Sequence, residues 1–298
     1  MGKGVCPKKI LFSFIRELTA KHKVAWLCQL ANVSRAGYYK WLKRQAQTTA
    51  KDKEDAVLQS LLRIGYAKHR GRYGYRRMTV WINHRTKQQY NHKRVYRLLD
   101  KIGLKAKIRR KKRWFGKSEA VTIVSPNLLN RDFKAAKPNQ KWVTDITYLS
   151  GLPQKLYLSA IKDLATNEII AYKISSRNDL KLVLDTLRAA RRKQRKKVHG
   201  ILIHSDQGFQ YTSKQYHSLL RKYKMIGSMS RKANCLDNAS MENFFGHLKS
   251  ELLYLDKFQS ADQLIQAVRA YIRYYNEERI QLKLNKLAPV AYRNQLAA

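Results

Sequence analysis

The seven residues Trp142-Val143-Thr144-Asp145-Ile146-Thr147-Tyr148 predict a β-strand that carries a carboxylate at its centre. Val, Ile, Thr and aromatic side chains favour strands, whereas Asp is disfavoured there because its charge resists burial. Asp145 therefore needs a compensating partner. We interpret it as the first indication of a functional site.

The residues that follow predict a mixed sheet flanked by helices. After the first strand, residues 142–149, further strand-like segments lie at 155–161, 169–175, 200–204 and 227–230. Helical patterns cover residues 179–192, 213–223, 239–253 and 261–276. Three successive strands followed by alternating helices and strands are typical of an α/β fold with a five-stranded mixed sheet.

Two further carboxylates are expected near Asp145. Asp206 comes directly after a predicted strand, at the carboxyl end where open sheets place their ligand sites. Glu242 lies in the first turns of the predicted helix 239–253, which Asp237 or Asn238 is expected to cap. We expect Asp145, Asp206 and Glu242 to converge, and the alternative for each is a salt bridge to a Lys or Arg.

A cluster of three carboxylates needs a cation, because the like charges otherwise repel one another. Oxygen ligands suit Mg²⁺, and two such ions about 4 Å apart can hold the attacking and leaving oxygens of a phosphodiester. The cluster therefore predicts two Mg²⁺ ions, with Mn²⁺ as a substitute, and phosphoryl transfer. His204 is expected to be structural, since a two-ion site needs no separate general base.

The overall charge indicates a nucleic-acid partner. The 298 residues include 62 Lys or Arg and 20 Asp or Glu, a formal net charge of +42, while 44% are hydrophobic. This hydrophobic content excludes a disordered polycation, and the charge favours DNA or RNA as the partner, with an anionic membrane surface as the alternative. No apolar segment long enough to span a membrane is present in the sequence, and there is no Walker-type phosphate loop.

Helix signals and charge divide the chain into four predicted units. Residues 1–50 and 51–104 each predict a helix-turn-helix-like module, and residues 105–135 predict a basic linker. Residues 136–298 form the fourth unit, the sheet domain with its C-terminal helices.

The second helical module has a face suited to phosphate contact. Asn91 is expected to cap a helix whose apolar stripe faces a core, and Lys93, Arg94 and Arg97 lie opposite that stripe. Such an arrangement places basic side chains where they can contact a DNA backbone. A solvated charged face is the alternative.

The spacing of the three carboxylates is specific. Sixty residues lie between Asp145 and Asp206, and thirty-five lie between Asp206 and Glu242. A chance match to this spacing is expected in about one in a hundred chains of this composition. The segments 204–208, 237–245 and 275–279, together with residues 142–148, resemble the bacterial insertion-sequence transposases of family three.

The resemblance extends forward through residues 73–77 and 91–95 and covers nearly the whole chain. It implies the protein of the downstream reading frame, with a retroviral-integrase-like, ribonuclease-H-like core of the DDE type. In that family Asp145, Asp206 and Glu242 would be the catalytic and metal-binding residues. Lys249, seven residues after Glu242, would position a phosphate, although an ordinary surface lysine is the alternative.

The resemblance also implies how the protein would act. Its substrate would be double-stranded DNA, cut and joined at the terminal inverted repeats by a homo-oligomer, with an upstream-frame helix-turn-helix protein as a possible partner. Its location would be the bacterial cytoplasm, associated with the nucleoid. One departure is Gln281, which stands where relatives often carry His. The predicted DNA contacts are Lys249, Lys93, Arg94, Arg97, Arg76, Arg77, Lys107, Arg109, Arg110, Lys111, Asn238 and Gln207.

Two other functions fit the same features. A DNA-binding regulator with a catalytically silent sheet domain would have the same charge and the same helical modules. A nuclease of the same fold would hydrolyse DNA without joining it. Substitution of the carboxylates separates the regulator from the enzyme, and a strand-transfer assay separates the nuclease from the transposase.

Overall fold

The computed structural model describes residues 7–46, 50–107, 123–194, 200–231 and 234–297. Residues 108–122 of the predicted basic linker, including Arg109, Arg110 and Lys111, lie outside the described residues.

A five-stranded mixed sheet forms the centre of the second half of the chain. The strands are β1 (Lys141–Leu149), β2 (Leu156–Asp163), β3 (Ile169–Ser175), β4 (Leu202–Ser205) and β5 (Ile226–Met229). Their order is β3-β2-β1-β4-β5. The first three strands pair antiparallel, whereas β4 runs parallel to β1 and β5 runs parallel to β4. This confirms the predicted ribonuclease-H-like fold class.

Six helices precede the sheet and five lie among or after its strands within the described residues. They are α1 (Lys8–Leu18), α2 (Val24–Leu30), α3 (Arg35–Ala46), α4 (Ala50–Lys68), α5 (Tyr75–Thr86), α6 (His92–Lys101), α7 (Leu180–Lys193), α8 (Lys214–Lys222), α9 (Ala239–Leu248), α10 (Ala261–Glu277) and α11 (Pro289–Ala297). The predicted cap of α6 is present, since Asn91 Oδ1 accepts a hydrogen bond from the Lys93 amide at 2.8 Å. No helix in the described parts of the chain is long and apolar enough to cross a membrane.

The two faces of β1 are buried against different helix layers. Trp142 packs on the side of α7 and α8, whereas Val143 packs on the side of α9 and α10. Since side chains alternate along a strand, Asp145 shares the face of Val143. The sheet thus directs the unusual carboxylate towards the helix that carries Glu242.

The helix predicted for residues 239–253 is two elements. The α-helix α9 ends at Leu248, and a π-helical turn spans Lys249–Leu253. Such a turn widens the backbone locally. Its Glu251 forms a buried ion pair with Arg279, a long-range contact that the local helical pattern does not reveal.

The predicted capping position of α9 is confirmed, but no side-chain capping hydrogen bond is made there. Asn238 occupies this position. Asp237 instead accepts hydrogen bonds from the side chains of Arg131 and Arg231. Two guanidinium groups are stronger partners for a carboxylate than a helix amide, because both sides of the bond are charged.

The helical first half contains two apolar clusters. One joins α1, α2 and α3 around Ile15, Leu27 and Tyr38. The other joins α4, α5 and α6, and Ile280 from the far end of the chain is buried in it. The helices of residues 50–107 therefore pack directly on the C-terminal part of the chain.

Candidate active site

The sheet register brings Asp145 and Asp206 level with each other. Val143 on β1 pairs with His204 on the neighbouring parallel strand β4. Two residues beyond this pair are Asp145, still on β1, and Asp206, the first residue after β4, and parallel strands advance at nearly the same rate. The proximity of these two carboxylates is thus a consequence of strand pairing.

Both carboxylates of the pair have raised pKa values, so that the ionised form of each is disfavoured in the folded protein. Burial raises the pKa of Asp145 well above its usual value, and the charge of Asp206 raises it further. The Ile146 amide lowers it, Glu242 raises it, and Lys249 lowers it. Asp206 is exposed at the end of β4, and its pKa is also raised, because the surrounding protein partly desolvates its carboxylate. Raised carboxylate pKa values at one point of a sheet are typical of functional sites.

Each carboxylate is held through one oxygen. The Ile146 amide donates to Asp145 Oδ1 at 2.7 Å, and the Gly208 amide donates to Asp206 Oδ1 at 3.0 Å. The second oxygen of each has no hydrogen-bond partner among the described residues. Two fixed carboxylates, each with an oxygen to offer, suit a hard divalent cation, which would also offset their mutual repulsion.

Glu242 lies within electrostatic reach of Asp145. It is exposed on the first turn of α9, and its charge raises the pKa of Asp145. Within the described residues, no three His, Cys, Asp or Glu side chains lie close enough together to hold one metal ion. The structure therefore brings two of the three predicted carboxylates together, and a ligand role for all three stays a prediction.

Lys249 begins the π turn that follows α9. Its positive charge acts on Asp145, the pKa of which it lowers against the larger effect of burial. Lys249 thus lies within electrostatic reach of Asp145. The predicted role in positioning a phosphate is compatible with this placement.

His204 supports the site without taking part in it. Its ring is fully buried, and its two nitrogens contact Ser228 Oγ at 2.9 Å and Ser230 Oγ at 3.0 Å. Burial lowers the pKa of His204 to about 4. The ring is therefore neutral near pH 7 and links the end of β4 to β5.

Sequence reasoning missed Lys162, which is buried on β2. Its Nζ donates to the Ser240 carbonyl and hydroxyl oxygens, both at 3.1 Å. Burial and the charge of Arg279 lower the pKa of Lys162 to about 7. A lysine inside an apolar strand was the available signal, of the same kind that identified Asp145. Lys162 ties the sheet to the start of the helix that carries Glu242.

The predicted DNA contacts divide into exposed and engaged side chains. Lys93, Arg76 and Lys107 are exposed. Arg94 forms ion pairs with Glu54 and Asp55, and Arg97 pairs with Asp55.

Three further predicted contacts are held inside the protein. Arg77 is half-buried over the Tyr73 ring, with its guanidinium carbon 5.9 Å from the ring centre. Gln207 donates to the Ser230 carbonyl at 2.9 Å, and the buried Asn238 donates to the Thr144 carbonyl at 3.4 Å. Their visible contacts are structural, and a DNA-binding role for them stays a prediction.

Gln281, the residue that departs from the family pattern, stabilises a turn. Its amide donates to the Leu287 carbonyl at 3.0 Å, and its Oε1 accepts from Asn167 Nδ2 at 3.1 Å. Asn167 lies between β2 and β3 with a positive φ of 58°. Gln281 therefore fastens the C-terminal segment to the far edge of the sheet.

Comparison with known families gives two kinds of match. A family model described as an integrase core domain matches residues 135–235, and a second integrase core domain model matches residues 242–296. A model described as an HTH-like domain matches residues 52–112.

Close relatives match over nearly their whole length. InsK of insertion sequence element IS150 from Escherichia coli (strain K12) is 44% identical over 281 residues, which are 94% of this chain and 97% of InsK. Transposase InsF of insertion sequence IS3A, from the same strain, is 32% identical, with 95% of this chain and 98% of InsF covered. The chain belongs to the family-three insertion-sequence transposases. The family predicted from the sequence is thereby confirmed, as is an integrase-type enzyme core.

Solved structures similar to this transposase are distant. The catalytic core domain of HTLV-2 integrase in complex with magnesium covers 53% of the transposase and 98% of its own chain, with 15% identity and a TM-score of 0.41. The fold of the transposase is established by its own sheet order.

Proposed function

We propose that this transposase cuts and joins DNA strands at the terminal inverted repeats of an insertion sequence. The observation that carries the proposal is the pair Asp145, on β1, and Asp206, directly after the neighbouring parallel strand β4, both with raised pKa values. The charge of Asp206 raises the pKa of Asp145, and a divalent cation bound between the two carboxylates would offset this repulsion. Family membership supplies the class of reaction.

The carboxylates would hold divalent cations. Asp145 and Asp206 supply the nearest oxygens, and Glu242, exposed on α9, would complete the ligand set. We propose two Mg²⁺ ions, replaceable by Mn²⁺. Bound there, the ions would activate an attacking oxygen and stabilise a leaving one, first with water and then with the freed 3′-hydroxyl as nucleophile. The exchange of one phosphodiester bond for another needs no nucleotide hydrolysis.

The protein's own residues would orient the DNA. Lys249 lies within electrostatic reach of Asp145 and would hold the phosphate beside the scissile bond. The exposed Lys93, Arg76 and Lys107 would contact the backbone further away, together with Arg109, Arg110 and Lys111 of the linker. The net charge of +42 supports such binding and makes it salt-dependent.

Several wider features belong to the same proposal. We propose the division into modules 1–50 and 51–104, a linker 105–135 and a catalytic core 136–298. Concerted cutting of two ends would require a homo-oligomer on DNA, and an upstream-frame helix-turn-helix protein would assist end recognition. A DNA-bound protein of this charge would associate with the bacterial nucleoid.

The test uses the intact chain with DNA carrying the element's inverted repeats and Mg²⁺ or Mn²⁺. The wild type should yield cleaved and joined products. Asp145→Asn and Asp206→Asn should abolish both products while leaving salt-sensitive DNA binding nearly intact. Asp185→Asn is the matched control, since Asp185 lies on α7 and pairs with Lys181 and Arg188.

Each contrary outcome has a defined meaning. Undiminished cleavage by Asp145→Asn would reject the site. Cleavage without joining by the wild type would favour a nuclease. DNA binding without any metal-dependent cleavage by the wild type would favour a regulator.

A further inference from the structure

Two adjacent residues of the helical module contact the catalytic domain. Arg72 and Tyr73 lie between α4 and α5, immediately before Gly74, the N-cap residue of α5. Arg72 Nε donates to the Glu251 carbonyl at 3.0 Å. The Tyr73 hydroxyl donates to the Glu278 carbonyl at 3.0 Å and accepts from the Ile280 amide at 2.9 Å.

The contacted segments are joined by a buried ion pair. Arg279 is 2% exposed, and its Nη2 lies 2.6 Å from Glu251 Oε1. Its Nε also donates to Glu251 Oε2 at 3.0 Å, so that the pair is bidentate. The Tyr271 hydroxyl donates to the same Oε2 at 3.0 Å. Fork-shaped pairs of this kind fix orientation as well as distance.

The aromatic side chains of α10 complete the contact. The Arg72 guanidinium lies 4.7 Å from the ring centre of Tyr274 and 5.4 Å from that of Tyr271. Tyr271 thus touches both Arg72, from the helical module, and Glu251, from the π turn. The Arg279 guanidinium holds the Glu251 side chain, and the Arg72 guanidinium, which lies over the two tyrosine rings, holds the Glu251 carbonyl.

Glu251 is part of the same π turn as Lys249. A π turn is rare and occurs mostly as a single turn within or beside an α-helix, and here contacts from outside the turn hold it. Those contacts are made by Arg279 to the Glu251 side chain and by Arg72 to the Glu251 carbonyl. The π turn that begins with Lys249 is thus held by a residue of the helical module, Arg72, and by Arg279.

We propose that Glu251 and Arg279, held in place by Arg72 and Tyr73, are positioning residues that orient Lys249 and thereby couple the helical module of residues 50–107 to the catalytic site. The inference rests on the proposed function, since it requires Lys249 to act on the DNA. In this scheme the position of the helical module on DNA affects how Lys249 holds the reacting phosphate. None of the four residues contacts the substrate in this scheme.

The test compares two tyrosine hydroxyls of the same module. Tyr73→Phe removes the hydrogen bonds to residues 278 and 280 but keeps the ring. Tyr66→Phe is the matched control, because the Tyr66 hydroxyl donates to the Lys105 carbonyl at 2.9 Å, within the module itself. Single-turnover cleavage of inverted-repeat DNA is measured in the full chain with Mn²⁺, with DNA affinity and the melting temperature determined alongside.

Tyr73→Phe should lower the cleavage rate constant about tenfold, with DNA affinity changed less than about twofold, because a small misplacement of a reacting group is costly. Tyr66→Phe should match the wild type in all three measurements. Repeating the comparison with Lys249→Gln decides whether the effect passes through Lys249. In that background Tyr73→Phe should change the rate by less than about twofold, since residues acting as a unit are not additive.

The outcomes separate the inference from the function on which it rests. If Tyr73→Phe cleaves like Tyr66→Phe, or slows cleavage equally with and without Lys249, the coupling is overturned while the catalytic assignment stands. If Lys249→Gln cleaves at the wild-type rate, the role of Lys249 itself is wrong. Absence of metal-dependent cleavage by the wild type would reject the proposed function.

Discussion

His69 is buried without a polar partner. It is 3% exposed, and neither ring nitrogen has a hydrogen bond among the described residues. Its ring stacks on Tyr73, with the ring centres 3.9 Å apart and the planes inclined by 8°. Burial lowers the pKa of His69 from 6.5 to about 4, helped by the charges of Lys68 and Arg72. Near pH 7 His69 is therefore a neutral aromatic ring that packs against Tyr73.

His69→Phe should make the transposase less sensitive to acid. Because the folded pKa lies below the unfolded one, the unfolded state binds the proton first, and stability is lost as the pH falls from 6.5 towards 4. One such histidine accounts for about 2 kcal/mol between pH 7 and pH 5. Urea unfolding at pH 7 and at pH 5 measures the loss of unfolding free energy. That loss should be smaller in His69→Phe than in the wild type by about 2 kcal/mol. An equal loss in both proteins would contradict the burial of a neutral ring.

Asp237 fixes the start of α9. Its carboxylate is fully buried and accepts hydrogen bonds from Arg231, from Arg131 and from Asn127. The Arg231 guanidinium holds the pKa of Asp237 well below its usual range, with burial opposing it. The loop before the helix of Glu242 is thereby tied to residues 127–131.

Asp237→Asn should destabilise the protein by about 2 to 3 kcal/mol, because an amide group replaces an acceptor that two guanidinium groups require. Asp185→Asn is the comparison, since Asp185 also bridges two basic side chains but on the outer surface of α7, with its side chain 29% exposed. There the loss should be below about 1 kcal/mol. Denaturant midpoints measure both, and equal losses would mean that the buried cluster contributes no more than a surface pair.

Gly65 permits two helices to approach closely. A Cβ atom at this position of α4 would lie 2.5 Å from Trp81 Cζ3 and 2.8 Å from Met78 Sδ on α5. In an exposed helix, Gly→Ala stabilises by about 1 kcal/mol, whereas overpacking a core costs about 1 to 3 kcal/mol. The contact with a large indole makes the second effect prevail.

Gly65→Ala should therefore lower the unfolding free energy by about 1 to 2 kcal/mol, against the helix propensity of Ala. Ser60→Ala, an exposed substitution on the same helix, should leave it nearly unchanged or slightly raised. Thermal unfolding of the two variants gives the comparison. A more stable Gly65→Ala would show that α4 and α5 can separate without loss.

The strands were more predictable than some helices. Each strand of the sheet combines β-branched residues with turn signals at its ends, and both are local features. The long helix α4 was missed because its first turns, residues 51–55, are charged throughout. Its buried Asp55 is explained only by Arg94 and Arg97, about forty positions away. The end of α9 was misplaced for the same reason, since Arg279 holds the π turn.

The basic surface of the transposase is uneven because some cations are neutralised within the fold. On α6, Lys93 is exposed, whereas its neighbour Arg94 pairs with Glu54 and Asp55 at 3.0 and 2.7 Å. The net charge of +42 counts both side chains alike. We expect DNA phosphates to bind the exposed Lys93 in preference to the ion-paired Arg94.

Lys93→Gln should reduce the dependence of DNA affinity on salt, with the slope of log affinity against log salt smaller by about 1. Arg94→Gln should leave that slope nearly unchanged, since its charge is offset by two carboxylates, although it should lower the melting temperature. Titrations at several salt concentrations measure the slopes. The reverse order of the two slopes would show that DNA displaces the carboxylates from Arg94.

The candidate site was predictable in part. Asp145 was out of place in its strand, and Asp206 lay at a strand end, so their meeting followed from the order of the sheet. Glu242 depends on where α9 sits, and that is fixed by Asp237 and Lys162 through contacts that sequence spacing does not encode. Helix placement, more than strand pairing, limits prediction here.

Because Ile280 is buried among α4, α5 and α6, these helices share one apolar core with the segment that follows α10. A chimaera that combined helices α4–α6 of one relative with the C-terminal segment of another would therefore bring together apolar surfaces that do not fit each other.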